Sequence, residues 1–261
     1  MPSFRVFHDR RASVFTVVLS AILALNTPAP DDIFRQAQAA WNERVLPPYE
    51  AFRIPCQETF LAQKCRPNAE VEFIVRLADG RTYAHTIGPE GSQELMRGGY
   101  ITGPAGAPFG FYRRVPTVAT EPPAPPPNLA PDPLGTIATV QAVDKAYDVT
   151  LAGSEIIDGR ESYHLQLRPL RDPDRYPLRD LWVEHSRFEV VRLTYEQPFG
   201  GPSTRARIHY DFAPVGTPSV WTIVHIDAEA TTKKLFSTET QSVSEDLRDI
   251  TFPPSEPPEY F

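Results

Sequence analysis

The chain has 261 residues, 41% of them hydrophobic and 23% charged, which suits one or two folded domains and argues against a wholly disordered chain. Its 29 prolines, about twice the usual usage, exclude long helical bundles, because proline fits neither a helix interior nor a central strand. A net charge of −7 has the wrong sign for neutralising phosphates, so nucleic acid is not an expected partner.

Arg5, Arg10 and Arg11 precede an apolar run from Ala12 to Leu25, and Asn26, Thr27, Pro28 and Ala29 follow it. As a helix the run is about 21 Å long, short of the ~30 Å hydrocarbon thickness, which favours a signal segment over a membrane span. Residues 1–29 are therefore expected to be a signal peptide, with a retained N-terminal anchor as the alternative. The expected location is periplasmic or extracellular. Loss of this segment leaves a still more acidic body. Such a body does not adhere by charge to an anionic membrane, so any membrane contact must be apolar.

Asp31 and Asp32 can cap a helix of about 14 residues whose apolar positions Ile33, Ala37, Trp41 and Val45 form one stripe, ended by Pro47 and Pro48. Cys56 and Cys65 are too few for a thiolate zinc site. In an oxidising compartment they are expected to form one structural disulfide, stabilising by roughly 2 to 3 kcal/mol; two free thiols are the alternative. Val71, Phe73, Val75 and Leu77 share one strand face, and Asp79-Gly80 predicts a type I′ turn into a second strand over 82–87. Residues 98–110 hold five of the 14 glycines without a phosphate-binding pattern, which predicts a mobile loop. Residues 116–135 carry eight prolines and predict an extended, solvated insertion.

Eight strand-like segments follow, over 137–143, 147–157, 161–168, 181–184, 189–196, 204–212, 220–230 and 235–243, with a second tight turn at Asp158-Gly159. Connections this short imply antiparallel pairing. Thr204, Ala206, Ile208, Tyr210 and Phe212 alternate with Arg205, Arg207, His209 and Asp211, so the sheet has one apolar and one wet face. The predicted fold is mainly β (α+β): a large curled antiparallel sheet, a half-barrel, with the N-terminal amphipathic helix as a lid. One domain spans 30–252, and 253–261 is a proline-rich tail. Curling leaves an apolar hollow suited to acyl chains; a fully packed sandwich core is the alternative.

The segment Leu181-Trp182-Val183-Glu184-His185-Ser186-Arg187-Phe188-Glu189-Val190-Val191-Arg192-Leu193 resembles a hairpin of the LolA-like periplasmic lipoprotein carriers, whose superfamily includes LolB and the regulator RseB. Gly153 to Ile157, Asp158-Gly159 and Tyr163-His164-Leu165-Gln166-Leu167 look like the adjacent strands, so the resemblance covers residues 136–252. It implies an unclosed β-barrel with a helical lid and an apolar interior that shields acyl chains in transit. The proline tract, the Cys56–Cys65 loop and the C-terminal tail depart from the carrier pattern.

No enzyme chemistry is expected. The six histidines, at 8, 85, 164, 185, 209 and 225, form no local ligand pair, so no metal site is expected. Asp180 and Glu184 share a strand face about 13 Å apart and read as surface charges. His209 and Asp211 are close enough to pair, but no nucleophile elbow accompanies them. No catalytic residue and no cofactor is assigned. The expected function is extracytoplasmic lipid or lipoprotein binding, with Tyr163, Leu165, Leu167, Val183, Leu193, Tyr195, Ile208 and Phe212 as walls of the hollow and a lipid or acylated protein as partner. An envelope protein-interaction or sensing module on the same scaffold is the alternative.

Overall fold

The structure, a computed structural model, describes residues 28–59, 61–89, 91–99, 147–174, 176–198 and 203–261. The expected signal segment, residues 100–110 of the expected glycine-rich loop, the proline tract and the strand expected at 137–143 lie outside them. Among the described residues one helix, α1 (Pro30–Glu43), precedes twelve strands. Strands β1 (Tyr49–Pro55), β2 (Glu70–Arg76), β3 (Thr82–Ile87) and β4 (Glu94–Gly99) form a sheet whose other edge is β12 (Arg248–Thr251). The second sheet is a seven-stranded meander: β5 (Tyr147–Ile157), β6 (Arg160–Pro169), β7 (Leu178–Glu184), β8 (Val190–Pro198), β9 (Thr204–Val215), β10 (Val220–Lys233) and β11 (Thr238–Asp246). All pairings are antiparallel.

The expected single curled sheet is thus divided in two, and a bend in one stretch of chain joins the parts. Strand β11 pairs with β10, and one residue later β12 pairs with β1. At that residue the Leu247 N–H donates to the Val224 carbonyl at 3.0 Å. Val224 is free to accept because the β9–β10 register slips between Ile223 and His225, a bulge of the kind that bends strands. Beside this corner the Thr222 hydroxyl donates to Glu50 Oε1 at 2.7 Å, tying β10 to β1. The result is a mainly β, curled α+β fold in which the described strands form no closed barrel.

Local chemistry explains where the boundaries depart from expectation. Helix α1 has Ala29, not an aspartate side chain, at its N-cap; Pro30 opens it, and Asp31 and Asp32 sit in the first turn, where negative charge suits the helix dipole. It ends at Arg44, so Val45 leaves the stripe and is 85% exposed, while Phe34 is buried in its place. Asp158 and Gly159 both have positive φ, as a tight turn requires. At the other turn only Gly80 does, because the Asp79 carboxylate is held by Arg76 and by the Arg81 N–H, and Leu77 to Gly80 form a longer loop. Gly98 and Gly99 belong to β4 rather than to a loop. Cys56 and Cys65 form the expected disulfide, with Cα atoms 6.0 Å apart, closing two short 3₁₀ turns between β1 and β2.

The proline-rich tail is ordered against the sheet. Ala51, Ile74 and Tyr83 form a small apolar patch on the face of the five-stranded sheet opposite the main core. Tyr260 stacks on Tyr83 with ring centres 3.9 Å apart, Phe261 stacks on Tyr49 at 5.5 Å, and the Arg76 guanidinium lies 5.0 Å from the Phe261 ring.

Candidate ligand site on the inner face

Alternation sends Ala206, Ile208, Tyr210 and Phe212 of β9 to one side of the seven-stranded sheet, beside Leu193 and Tyr195 of β8, Val183 of β7 and Leu165 and Leu167 of β6. All of these side chains are buried in a single core that also contains Ile33, Phe34, Ala37 and Trp41 of α1, and Phe52, Phe73 and Val75 of the five-stranded sheet. Seven of the eight expected wall residues, Leu165, Leu167, Val183, Leu193, Tyr195, Ile208 and Phe212, are therefore brought together. Tyr163 packs at the margin, half-buried, with its ring stacked on His185 at 3.8 Å. Where a hollow was expected, the inner face is covered by the chain itself: Trp41 meets Phe212 edge-on at 5.5 Å, and Phe34 meets Tyr147 at 6.2 Å.

Three phenols of this core are hydrogen-bonded within it. Tyr195 and Tyr210 share a hydroxyl hydrogen bond of 3.1 Å, and the Leu178 N–H donates to the Tyr147 hydroxyl at 3.2 Å. Burial raises the pKa of all three phenols, so they remain neutral. At the rim, burial and, secondarily, the repulsion of Glu58 push the Glu245 carboxyl up to about 7.

Reading the sequence for apolar stripes passed over Arg44. It leaves the last turn of α1 with its guanidinium 3.9 Å from the centre of the Trp41 ring and 5.9 Å from that of Phe212, and its Nη2 donates to Glu189 Oε2 at 3.1 Å. The one signal that could have found it is its place three residues after Trp41 at the helix end, where cations suit the dipole. This ion pair fastens the end of α1 to the turn before β8, inside the very hairpin whose sequence resembles the carriers.

The wet face is a network, not a set of isolated charges. His164 faces Glu155 through Nδ1 and Asp180 through Nε2, each at 3.0 Å, and stacks on Trp182 at 4.2 Å. Asp180 also meets Arg207 at 3.3 Å, so it is a half-buried member of a cluster rather than the free surface charge expected. Glu184 instead caps its own turn, accepting from Ser186 at 2.7 Å and the Arg187 N–H at 2.8 Å. His209 and Asp211 do not pair with each other: His209 meets the Thr194 hydroxyl at 2.7 Å, and Asp211 binds Arg192, with Nη2 to Oδ2 at 2.7 Å. Neighbouring strands present these partners directly opposite, Thr194 to His209 and Arg192 to Asp211, and cross-strand pairing wins over the pairing along one strand. Among the described residues no group of three or more His, Cys, Asp or Glu converges on a metal position, and no helix is long and apolar enough to cross a membrane.

No protein-family model and no curated protein matches the chain. Solved structures similar to it include a DUF1329 family protein from Desulfovibrio piger, at 12% identity and a TM-score of 0.33 over 87% of this chain and 94% of that one. A LolA superfamily protein from Nitrosomonas europaea is similar at 13% identity and a TM-score of 0.30, over 88% and 96% of the two chains. An outer membrane lipoprotein-sorting protein domain from Vibrio parahaemolyticus is similar at 10% identity and a TM-score of 0.30, over 84% and 90%. Among these, the Nitrosomonas europaea protein is of the LolA superfamily, the one that residues 181–193 resemble.

Proposed function

We propose that this protein binds a long acyl chain, of a lipid or of an acylated protein, on the inner face of its curled sheet in exchange for α1, and does so outside the cytosol. The observation that carries the reading is that Ile33, Phe34, Ala37 and Trp41 enter the same continuous core as the walls on β6 to β9. Apolar burial is non-directional, so a surface that accepts a helix stripe also accepts methylenes. Burial of Ile33, Phe34 and Trp41 stabilises the closed form by roughly 6 kcal/mol at about 2 kcal/mol per large side chain, whereas about fifteen methylenes gain about 12 kcal/mol at roughly 0.8 kcal/mol each. The exchange is therefore favourable before the cost of association. Location outside the cytosol is supported by the arginines and apolar run of residues 1–25 and by the Cys56–Cys65 disulfide.

The test is a titration of the full chain with a fluorescent fatty acid, read in parallel by native mass spectrometry. Wild type takes up the probe. Arg44→Leu and Glu189→Gln, which unfasten α1, bind it several-fold more tightly because less closed form competes. If neither wild type nor the two variants takes up probe or carries lipid mass, the acyl reading fails and the interaction-module alternative replaces it.

A further inference from the structure

The chain contains four lysines, and two of them, Lys233 and Lys234, are adjacent. They stand at the end of β10, the longest strand, where it turns back into β11 with Lys233 opposite Thr238 and the Lys234 N–H donating to the Ser237 carbonyl at 2.8 Å. The tip of this hairpin presents Leu235 and Phe236, which are 87% and 95% exposed. Other exposed large apolar side chains, such as Ile156 and Leu170, occur singly, which is ordinary for a protein surface. Two bulky neighbours projecting together from a turn are not, since turns favour small and polar residues.

We propose that the β10–β11 tip is a membrane-docking element that inserts Leu235 and Phe236 into the interface of an anionic lipid surface, with Lys233 and Lys234 meeting lipid phosphates. Residues 233–239 carry a net +1, with Lys234 paired to Glu239, on a chain whose overall charge is −7. The acidic body turns away from an anionic surface while the tip faces it, so the charge distribution orients the approach. A lipid surface is favoured over a protein partner by size. A stable protein interface buries about 800 Å² per partner, more than a two-residue tip offers, whereas a bilayer surrounds a projecting side chain on all sides without shape complementarity. This inference does not rest on the acyl-binding reading.

Ser237→Cys places a thiol beside the apolar pair, and the two native cysteines are joined to each other, so an environment-sensitive fluorophore labels that position alone. The labelled full chain is mixed with vesicles of phosphatidylethanolamine and phosphatidylglycerol, and separately with phosphatidylcholine. Emission should brighten and shift to the blue on the anionic vesicles and respond less on phosphatidylcholine or at high salt. Adding Leu235→Ser and Phe236→Ser should weaken the response about tenfold, with an unchanged melting temperature. Lys233→Ala with Lys234→Ala should weaken it several-fold on the anionic vesicles only. A label that stays silent on both vesicle types overturns the proposal, as does a response that survives the serine substitutions. A response that appears without vesicles and vanishes on dilution overturns it in favour of self-association. The label reports the tip itself, so attachment through residues 1–27 does not mimic the expected result.

Discussion

The two faces of the seven-stranded sheet share one backbone and differ in almost everything else. On β9 the inward side chains Ala206, Ile208, Tyr210 and Phe212 lie in the core with α1, while the outward Arg205, Arg207, His209 and Asp211 join ion pairs and hydrogen bonds to neighbouring strands. Inward contacts are strong in sum but indifferent to the identity of the partner. Outward contacts are individually weak but directional, and they fix which strand lies beside which. A bulge on β8 keeps the two sets apart: Val183 pairs with Val190 and Trp182 with Arg192, so Val190 enters the core while Val191 joins Ile157 and Trp182 outside it. Cohesion belongs to the inner face, and register to the outer one.

Substitutions on the two faces test this division. The largest effect is expected from Trp41→Ala, which removes the ring that meets Phe212 and underlies Arg44; the loss is about 3 to 4 kcal/mol, read from denaturant midpoints. Next is Glu245→Gln at the rim. Its carboxyl is raised from 4.5 to about 7, so the folded form binds the proton more tightly than the unfolded chain does. Its contribution is fully present below pH 4.5 and is lost as pH rises to about 7, a decline of up to about 3 kcal/mol. The Gln variant should not show that component of the pH dependence. The smallest effect is on the outer face. His225 lies between Asp246 at 2.6 Å and Asp227 at 3.2 Å; burial alone would lower its pKa, but these carboxylates outweigh burial and raise it above 6.5. The stability it contributes is present below pH 6.5 and fades as pH rises through the raised value. Asp246→Asn should lower the His225 pKa in an NMR titration while changing stability by less than about 0.5 kcal/mol. An outer-face change that costs as much as Trp41→Ala would break the comparison.

Much of the fold is legible along the chain because its signals are local. Period-two alternation over 204–212 places the side chains of β9 from Ala206 to Phe212 on the correct face, and Asp158-Gly159 sits at its turn with both φ values positive. The burial of Leu165, Leu167, Val183, Leu193, Tyr195, Ile208 and Phe212 follows from the same alternation. Asp79-Gly80 carries an equally good turn signature, yet Arg76 captures the aspartate and the loop lengthens. Phe34 and Val45 exchange roles because the buried stripe of α1 depends on where the helix stops and which surface it meets. Arg44 cannot be singled out from its neighbours, since its partner Glu189 lies 145 positions away.

Residue order alone determined the β-rich class, the amphipathic helix, the disulfide pair and the sidedness of the strands, because each depends on neighbours a few positions apart or on there being only two cysteines to join. Tertiary structure decided that the strands divide into two sheets bent at Leu247, that α1 fills the inner face with Arg44 fastening its end, and that Leu235 and Phe236 are left in solvent. Those outcomes depend on which distant surfaces meet, and burial, being non-directional, does not specify its partner in advance.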